Sequence, residues 1–470
     1  MNAVLQGLQN VNRQWRAGKQ AARFRRVGAA SRGVNVHFLT FKGKPMTVLI
    51  HRASMRRRAF VVATVGVVAL AACGKSTAKS STPSVTTTVA GATTTAGATT
   101  TAAPGSSTTA SGSMVMADLK HFTMDSGATP VNCMPKSGPL NVAWVYVGVT
   151  ADGGWTQAHD EARKAVEAKF GDKVKTTFKE TVKEGPETAT AVENLIKDGN
   201  TMIIGTSFGF QDSFLEEAKK HPEVCFEFAT GYKTSTNMSQ FYGAGEDTDF
   251  LAGMAAGAAS KTGKIGFVAP FPIAEVIREV NAYALGARTS NPAATVQVVW
   301  TNTWFDPAKE RAAAESLIAA GVDALGSGQD SPATGEAAKA KGLPWTGYDA
   351  DQSKNFADIW LTATNYHWAV YEIPRIQAVL DGKWTAGNYY GSTDDGFVTL
   401  APYGKLVTAD TQAKIEAKLA GLKDGSFVVF TGPIKNQKGE VKIAAGAKIA
   451  FGDLMGMDYL VEGVVGDIPK

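Results

Sequence analysis

The chain is 470 residues long, enough for two or three domains with separate cores, and carries a formal net charge of +5. The charge is unevenly placed: residues 1–72 hold 13 Lys or Arg and no Asp or Glu, which leaves 35 basic against 43 acidic residues, a net of −8, in the remainder. An acidic body of this kind speaks against nucleic acid as a partner.

Residues 1–54 read as an N-terminal extension ahead of the true start, with Met46 and Met55 both usable as starts. Arg56, Arg57 and Arg58 then form a positive n-region, and residues 59–70 are an apolar stretch too short to span a bilayer. The stretch ends in Leu70-Ala71-Ala72-Cys73-Gly74, which resembles a bacterial lipobox. That resemblance implies cleavage before Cys73 and a diacylglycerol on its thiol. Residues 55–73 are therefore expected to be a lipoprotein signal that leaves the protein anchored on the extracytoplasmic face of the cell membrane. From residue 75 to about 113 the chain is Thr, Ala, Ser and Gly with scattered Pro, too poor in large apolar side chains to offset the entropy of ordering. Residues 74–138 are expected to be a flexible tether and lead-in. Cys133 and Cys225 either pair in an oxidising exterior or stay as one exposed and one buried thiol.

Beyond residue 139 short apolar runs alternate with Ala-rich amphipathic ones. Strands are expected at 140–149, 201–205, 224–229, 264–269, 296–300, 343–347 and 359–363. Helices are expected near 155–170, 187–198, 210–220, 249–260, 273–288, 307–320, 332–341 and 367–381. Continuous apolar strands alternating with helices mean parallel sheets covered on both faces, and so many units suggest two α/β lobes. The last eighty residues differ, with short strands at 396–402 and 426–431, a helix near 410–422 and a hairpin loop at 436–439. They read as an appendage on the second lobe.

In such sheets ligands sit beyond the C-terminal ends of the strands. Those positions here carry Asp152-Gly153-Gly154-Trp155, Ser207-Phe208-Gly209, Gly245-Glu246, Pro270-Phe271-Pro272, Trp304-Phe305, Gln329-Asp330 and Tyr348-Asp349. An aromatic beside a carboxylate or amide recurs, which suits a flat polar heterocycle: rings stack, and polar groups read the edge. Each residue also has a duller reading. Trp155 and Trp304 could fill a helix–sheet interface, Phe208 could be core, and Asp152 and Asp349 could cap helices.

These residues carry a resemblance. Asp152-Gly153-Gly154-Trp155 with His159-Asp160, Thr206-Ser207-Phe208-Gly209, Leu251-Ala252-Gly253 with Lys261-Thr262-Gly263-Lys264, Asp306-Pro307-Ala308-Lys309 and Gly347-Tyr348-Asp349-Ala350-Asp351-Gln352 follow one another in the order of the basic-membrane-protein family. From residue 139 on, the chain resembles these substrate-binding lipoproteins of ABC importers, which include purine nucleoside receptors. The resemblance implies an α/β type I periplasmic-binding-protein fold: two doubly wound parallel-sheet lobes with a hinge, joined by three crossovers, plus the small C-terminal α+β appendage. Lobe 1 is placed at 139–247 with 349–362, lobe 2 at 248–348 with 363–385, and the appendage at 386–470. It further implies a monomer that serves a permease and an ATPase, without a cofactor or metal. A purine-like ligand is expected between Asp152, Trp155, Phe208 and Glu246 on one side and Phe271, Glu275, Trp304, Gln329, Asp330 and Asp349 on the other. One departure stands out: Thr364 occupies the place where nucleoside-binding members carry a ribose-holding Lys, so a purine base and a purine nucleoside remain equal candidates.

Other chemistry finds little support. Gly74-Lys75-Ser76 lacks the earlier glycine and strand of a phosphate-binding loop. The six histidines do not cluster at metal-ligand spacing, and no nucleophile–base pair stands out. A sensory receptor on the same fold and a nucleoside-processing enzyme are the alternatives to a delivery protein.

Overall fold

The computed structural model describes residues 35–41, 44–50 and 119–470, the first two segments by their backbone. The signal at 55–73, Cys73 and most of the tether lie outside the described residues. In the N-terminal unit, residues 1–104, strands β1 (Asn35–Phe41) and β2 (Lys44–Ile50) pair antiparallel with Asn35 opposite Ile50. Both runs are rich in β-branched and aromatic residues, a signal that the reading of this stretch as a mere extension passes over.

The C-terminal unit holds two seven-stranded sheets. In the first lobe, β3 (Phe122–Met124), β4 (Leu140–Val145), α1 (Trp155–Phe170), β5 (Val174–Lys179), α2 (Pro186–Lys197), β6 (Met202–Thr206), α3 (Gln211–Lys220), β7 (Cys225–Ala229) and β8 (Met238–Gly243) follow in order. The chain then crosses over. The second lobe takes α4 (Gly245–Ala259), β9 (Lys264–Ala269), α5 (Ala274–Ser290), β10 (Thr295–Trp300), α6 (Pro307–Ala319), β11 (Ala324–Ser327), α7 (Ala333–Lys341), β12 (Trp345–Asp349) and β13 (Trp360–Tyr366). Helix α8 (Ala369–Leu380) and β14 (Gly387–Gly391) return to the first lobe, and β15 (Val398–Leu400) crosses once more. After it come α9 (Ala409–Asp424), the hairpin β16 (Ile434–Lys435) and β17 (Val441–Ile443), α10 (Phe451–Met455) and β18 (Val464–Val465). The sheet orders are β3-β14-β8-β7-β6-β4-β5 and β15-β13-β12-β11-β9-β10-β18, so the described chain passes between the sheets three times.

Central strands are apolar end to end because helices cover both faces; β6 is buried at all five residues. Edge strand β5 reads Val-Lys-Thr-Thr-Phe-Lys and is half exposed, which is why an apolar-run criterion does not find it. The stretch 426–431 forms turns rather than a strand.

The lobe limits need correction. β12 and β13 pair in parallel within the second sheet, Gly347 opposite Ala363, so 349–362 belongs to lobe 2 and not lobe 1. Most of 363–385 belongs to lobe 1 instead, because α8 buries Tyr371, Ile376 and Val379 in the core that holds Val142 and Trp144. The crossover falls at 367–368, not after Asp349. Nor is 386–470 wholly an appendage of lobe 2, since β14 pairs with β8 and β3 in the first sheet. The remainder does pack there: Ile415, Phe430 and Val461 share a core with Met254 and Val280.

Cys133 and Cys225 are joined in a disulfide, their Cα atoms 5.7 Å apart, which ties the lead-in to the start of β7. Closing a loop over 92 residues removes unfolded-chain entropy worth about 2–4 kcal/mol. Among the described residues no helix is long and apolar enough to cross a membrane.

Candidate functional site

Residues just past the C-terminal ends of β4, β6 and β7 in one lobe, and of β10 and β11 in the other, line one narrow cavity of about 20 Å³, room for little more than a water, so the lobes stand nearly closed on it. The turn after β4 sets its first wall. Gly153 adopts φ +85°, and Gly154 lies against the Asp330 carbonyl of the opposite lobe, where a Cβ would meet that oxygen at 2.6 Å. The Asp152 carboxylate accepts hydrogen bonds from the N–H groups of Gly154 (2.9 Å), Thr156 (2.9 Å) and Gln157 (3.0 Å). It thus caps the first turn of α1 and does not line the cavity. Trp155 does. Its Nε1 donates to the Thr206 carbonyl at 2.7 Å, and its ring stands edge-on to Trp368 at 4.9 Å.

Phe208, on the short turn after β6, lines the same space. Beside it the Glu184 carboxylate accepts from Ser207 Oγ (2.7 Å), the Gly209 N–H (2.9 Å) and, from the other lobe, Trp304 Nε1 (3.1 Å). Trp304 lines the cavity and rests on Phe271, ring centroids 5.1 Å apart; Phe271 itself stands behind it. Gln352 of lobe 2 also donates to the Gly153 carbonyl. The lobes therefore touch at several points around the gap.

Glu275 and Asp330 supply carboxyls to the lining. Gln329 donates to Thr301 Oγ1 at 2.7 Å and sits outside it. Glu246 is committed to Arg278 (3.2 Å) and to the Tyr390 hydroxyl (2.9 Å), beside a neighbouring chamber. Asp349 is buried next to Tyr348, with φ +62° and neither carboxylate oxygen hydrogen-bonded among the described residues. Strain and an unmatched buried carboxyl together are unusual outside functional sites.

Glu279 escapes the strand-end criterion because it sits one helical turn into α5. It lines the cavity and accepts from the hydroxyls of Tyr242 (2.8 Å) and Tyr348 (3.0 Å), one from each lobe. The spacing of Glu275 and Glu279, four apart on a helix, is the signal that could have found it. A second stretch passed over in the sequence reading is Gly205-Thr206-Ser207-Phe208-Gly209, which has the Gly-x-Ser-x-Gly spacing on a strand–turn–helix. Its Ser207 hydroxyl donates to Glu184, with no imidazole bonded to it. Thr364 is buried and donates to Asp249 Oδ1 at 2.7 Å.

Burial pushes the carboxyls of Glu275, Glu279, Asp330 and Asp349 above the usual range, and neighbouring carboxylates add to this at all four, with Arg278 opposing it at Glu275 and Glu279. Among the described residues no Lys, Arg or His lines the cavity. Carboxyls that burial holds protonated can donate as well as accept, so the lining can exchange hydrogen bonds with a polar ligand.

The same chemistry sets a pH dependence. Burial raises Asp249 and Glu372 each to about 8. Raised carboxyls hold protons that the unfolded chain has released, so their contribution is full below the unfolded pKa of about 4 and is lost as pH rises through 8. Buried His159, lowered below its usual value, acts oppositely but only below about pH 6.5. The thermal midpoint is therefore expected to fall from about pH 6.5 to about pH 8 and to level off above that. Asp249→Asn and Glu372→Gln should each flatten that fall; an unchanged profile in both would rule out these groups as its source.

A family model described as ABC transporter substrate-binding protein, PnrA-like (Bmp), matches residues 140–423. A purine-binding protein of Brucella abortus is 39% identical over 331 residues, covering 70% of this chain and 94% of the relative. A putative ABC transporter glucose-binding protein of Haloferax volcanii is 35% identical, covering 82% and 94%. Among solved structures, a solute-binding protein of an Aeropyrum pernix ABC transporter system aligns with TM-score 0.55 at 17% identity, over 63% of this chain and 93% of that one, a likeness of fold.

Proposed function

Because the chain belongs to the Bmp family of PnrA-like ABC transporter substrate-binding proteins, we propose that it captures a purine base or purine nucleoside between its lobes and presents it to an importer. The family and fold are those of solute-binding proteins, whose work is extracytoplasmic and whose partners are a permease and an ATPase. The observation that carries the ligand reading is the cavity wall. Trp155, Phe208 and Trp304 offer ring faces, while Asp330, Glu275 and Glu279 offer acceptors for ring N–H and amino groups. The purine-binding Brucella relative supports the same reading. Capture proceeds by hinge closure, with the contacts of Trp304 to Glu184 and of Gln352 to Gly153 forming as the lobes meet. In this reading Cys73 carries a lipid that holds a monomer at the membrane.

A sugar is the second reading, favoured by the glucose-binding description of the Haloferax relative and by carboxyls that could equally accept from hydroxyls. Calorimetry and thermal shift with adenine, hypoxanthine, adenosine, AMP and glucose separate the two. Saturable binding of a base or nucleoside, without turnover and with AMP excluded, is expected. Binding of glucose with indifference to every purine would overturn the proposal.

A further inference from the structure

We infer that Glu193, Glu217 and His221 form a site for a borderline divalent transition metal, with Zn²⁺ the best fit, on the first lobe. Among the described residues this is one of two groups of His and carboxylates whose ligand atoms all lie within 4.8 Å of one another. The other, His121 with Asp394 and Asp395, is already satisfied: Asp395 accepts from the Tyr389 hydroxyl, and Asp394 from Lys120 and Ser392.

The first group is built differently. Glu217 and His221, four residues apart at the end of α3, share one helix face, and Glu193 comes from the adjacent α2, 28 residues from His221. That separation is why scanning for clustered histidines finds nothing. His221 Nε2 lies 2.8 Å from Glu193 Oε2 and 3.8 Å from Glu217 Oε2. Lys197 and Lys220 engage the other oxygen of each carboxylate, Oε1, at 3.1 and 2.8 Å. Both Oε2 atoms are thereby left facing the imidazole. Glu217 is only 2% exposed, and its Oε2 makes no hydrogen bond despite its burial.

A tetrahedral Zn²⁺ with bonds of about 2.0–2.1 Å spaces its ligand atoms about 3.3–3.4 Å apart, midway between the two observed separations. The outer arrangement also fits. His221 Nε2 and Glu193 Oε2 share a hydrogen bond that a metal would replace, and Nδ1 lies 3.6 Å from Glu223 Oε1, a carboxylate placed to steer the ring once it ligates. Asn237 Nδ2 donates to the carbonyls of Ala218, His221 and Val224, which fixes the backbone carrying the ring. The His221 side chain is 20% exposed and that of Glu193 34%, so an ion can enter and a water can take the fourth position. One nitrogen with two carboxylate oxygens suits Zn²⁺ over Mg²⁺ or Ca²⁺, which prefer all-oxygen shells. Helix α3 runs about 15 Å from the Phe208 turn to His221 at 1.5 Å per residue, so the metal would staple α2 to α3 at a distance from the cleft.

The protein, free of any polyhistidine tag and stripped with EDTA, is titrated with zinc chloride and followed by calorimetry and thermal unfolding. One equivalent is expected to bind and raise the midpoint by several degrees, with no response to magnesium or calcium chloride. H221A should abolish the effect, and E193Q, at a partly exposed helix position where the amide keeps the size of the side chain, should weaken it at least tenfold. No zinc response, or an undiminished one in E193Q and H221A, would overturn the site. Purine binding measured alongside reports on the cleft separately.

Discussion

Trp155→Ala is expected to weaken capture of the ligand by about 1–3 kcal/mol, a loss of roughly 5- to 150-fold in affinity, as for removal of one aromatic face from a stacked base. The residue has two duties. Its indole N–H bonds the Thr206 carbonyl at 2.7 Å, so it also holds α1 to the end of β6. Its ring packs edge-on against His159 and Trp368, centroids 4.9 Å away in each case. Alanine will therefore lower stability as well, and the two effects must be read separately. Trp155→Phe keeps a ring at the wall but loses the N–H. Calorimetry at a temperature where both variants are folded should show phenylalanine retaining most of the affinity that alanine loses. Equal affinity in wild type and Trp155→Ala would take the residue out of the binding site and leave it a packing element.

Arg375→Met is expected to cost about 3–5 kcal/mol of stability, because it strands Glu227 without its charge partner in a buried position. For a body of this size the midpoint should fall on the order of 5–10 °C. Arg375 Nε donates to Glu227 Oε1 at 2.7 Å, and its Nη2 donates to Ser239 Oγ and the Thr385 carbonyl. Trp384 Nε1 and the Tyr371 hydroxyl donate to the same carboxylate at 2.6 Å each. Both charged side chains are at most 1% exposed. Adding Glu227→Leu to Arg375→Met should recover part of the loss by removing the stranded charge. Recovery will be incomplete, since the tryptophan and tyrosine donors then lose their acceptor. A single variant as stable as the wild type would mean that the carboxylate finds another partner or a proton.

That ion pair also explains where sequence reading failed. The alternation of apolar strands and amphipathic helices was enough to expect two parallel-sheet lobes, and β9 at Lys264–Ala269 appears within the expected limits. Lobe membership was not legible. Helix α8 reads as one more amphipathic segment after β13, and it takes long-range contacts, such as the pairing of Arg375 with Glu227, 148 residues away, to show that it docks on the first sheet. Edge strand β5 was hidden by its lysines and threonines. Within the cleft, residues at strand ends were found because strand ends are visible as changes in pattern: Trp155, Phe208, Trp304, Glu275 and Asp330 all line one cavity. Glu279 was not, since its partners Tyr242 and Tyr348 come from different lobes. Asp152 looked like a cleft residue, yet its three backbone hydrogen bonds were the plainer alternative at a helix start.

The order in which the chain visits its sheets bears on how it is made. β14 inserts between β8 and β3, so the earlier lobe stays unfinished until residue 391 has emerged, by which time β9 to β13 of the later lobe are synthesised and only β15 and the short edge strand β18 are still to come. Neither half can be excised as one uninterrupted fragment. Truncation anywhere between 250 and 390 should leave a nascent sheet with a bare edge, and completion must wait for a late-arriving ribbon to zip it shut.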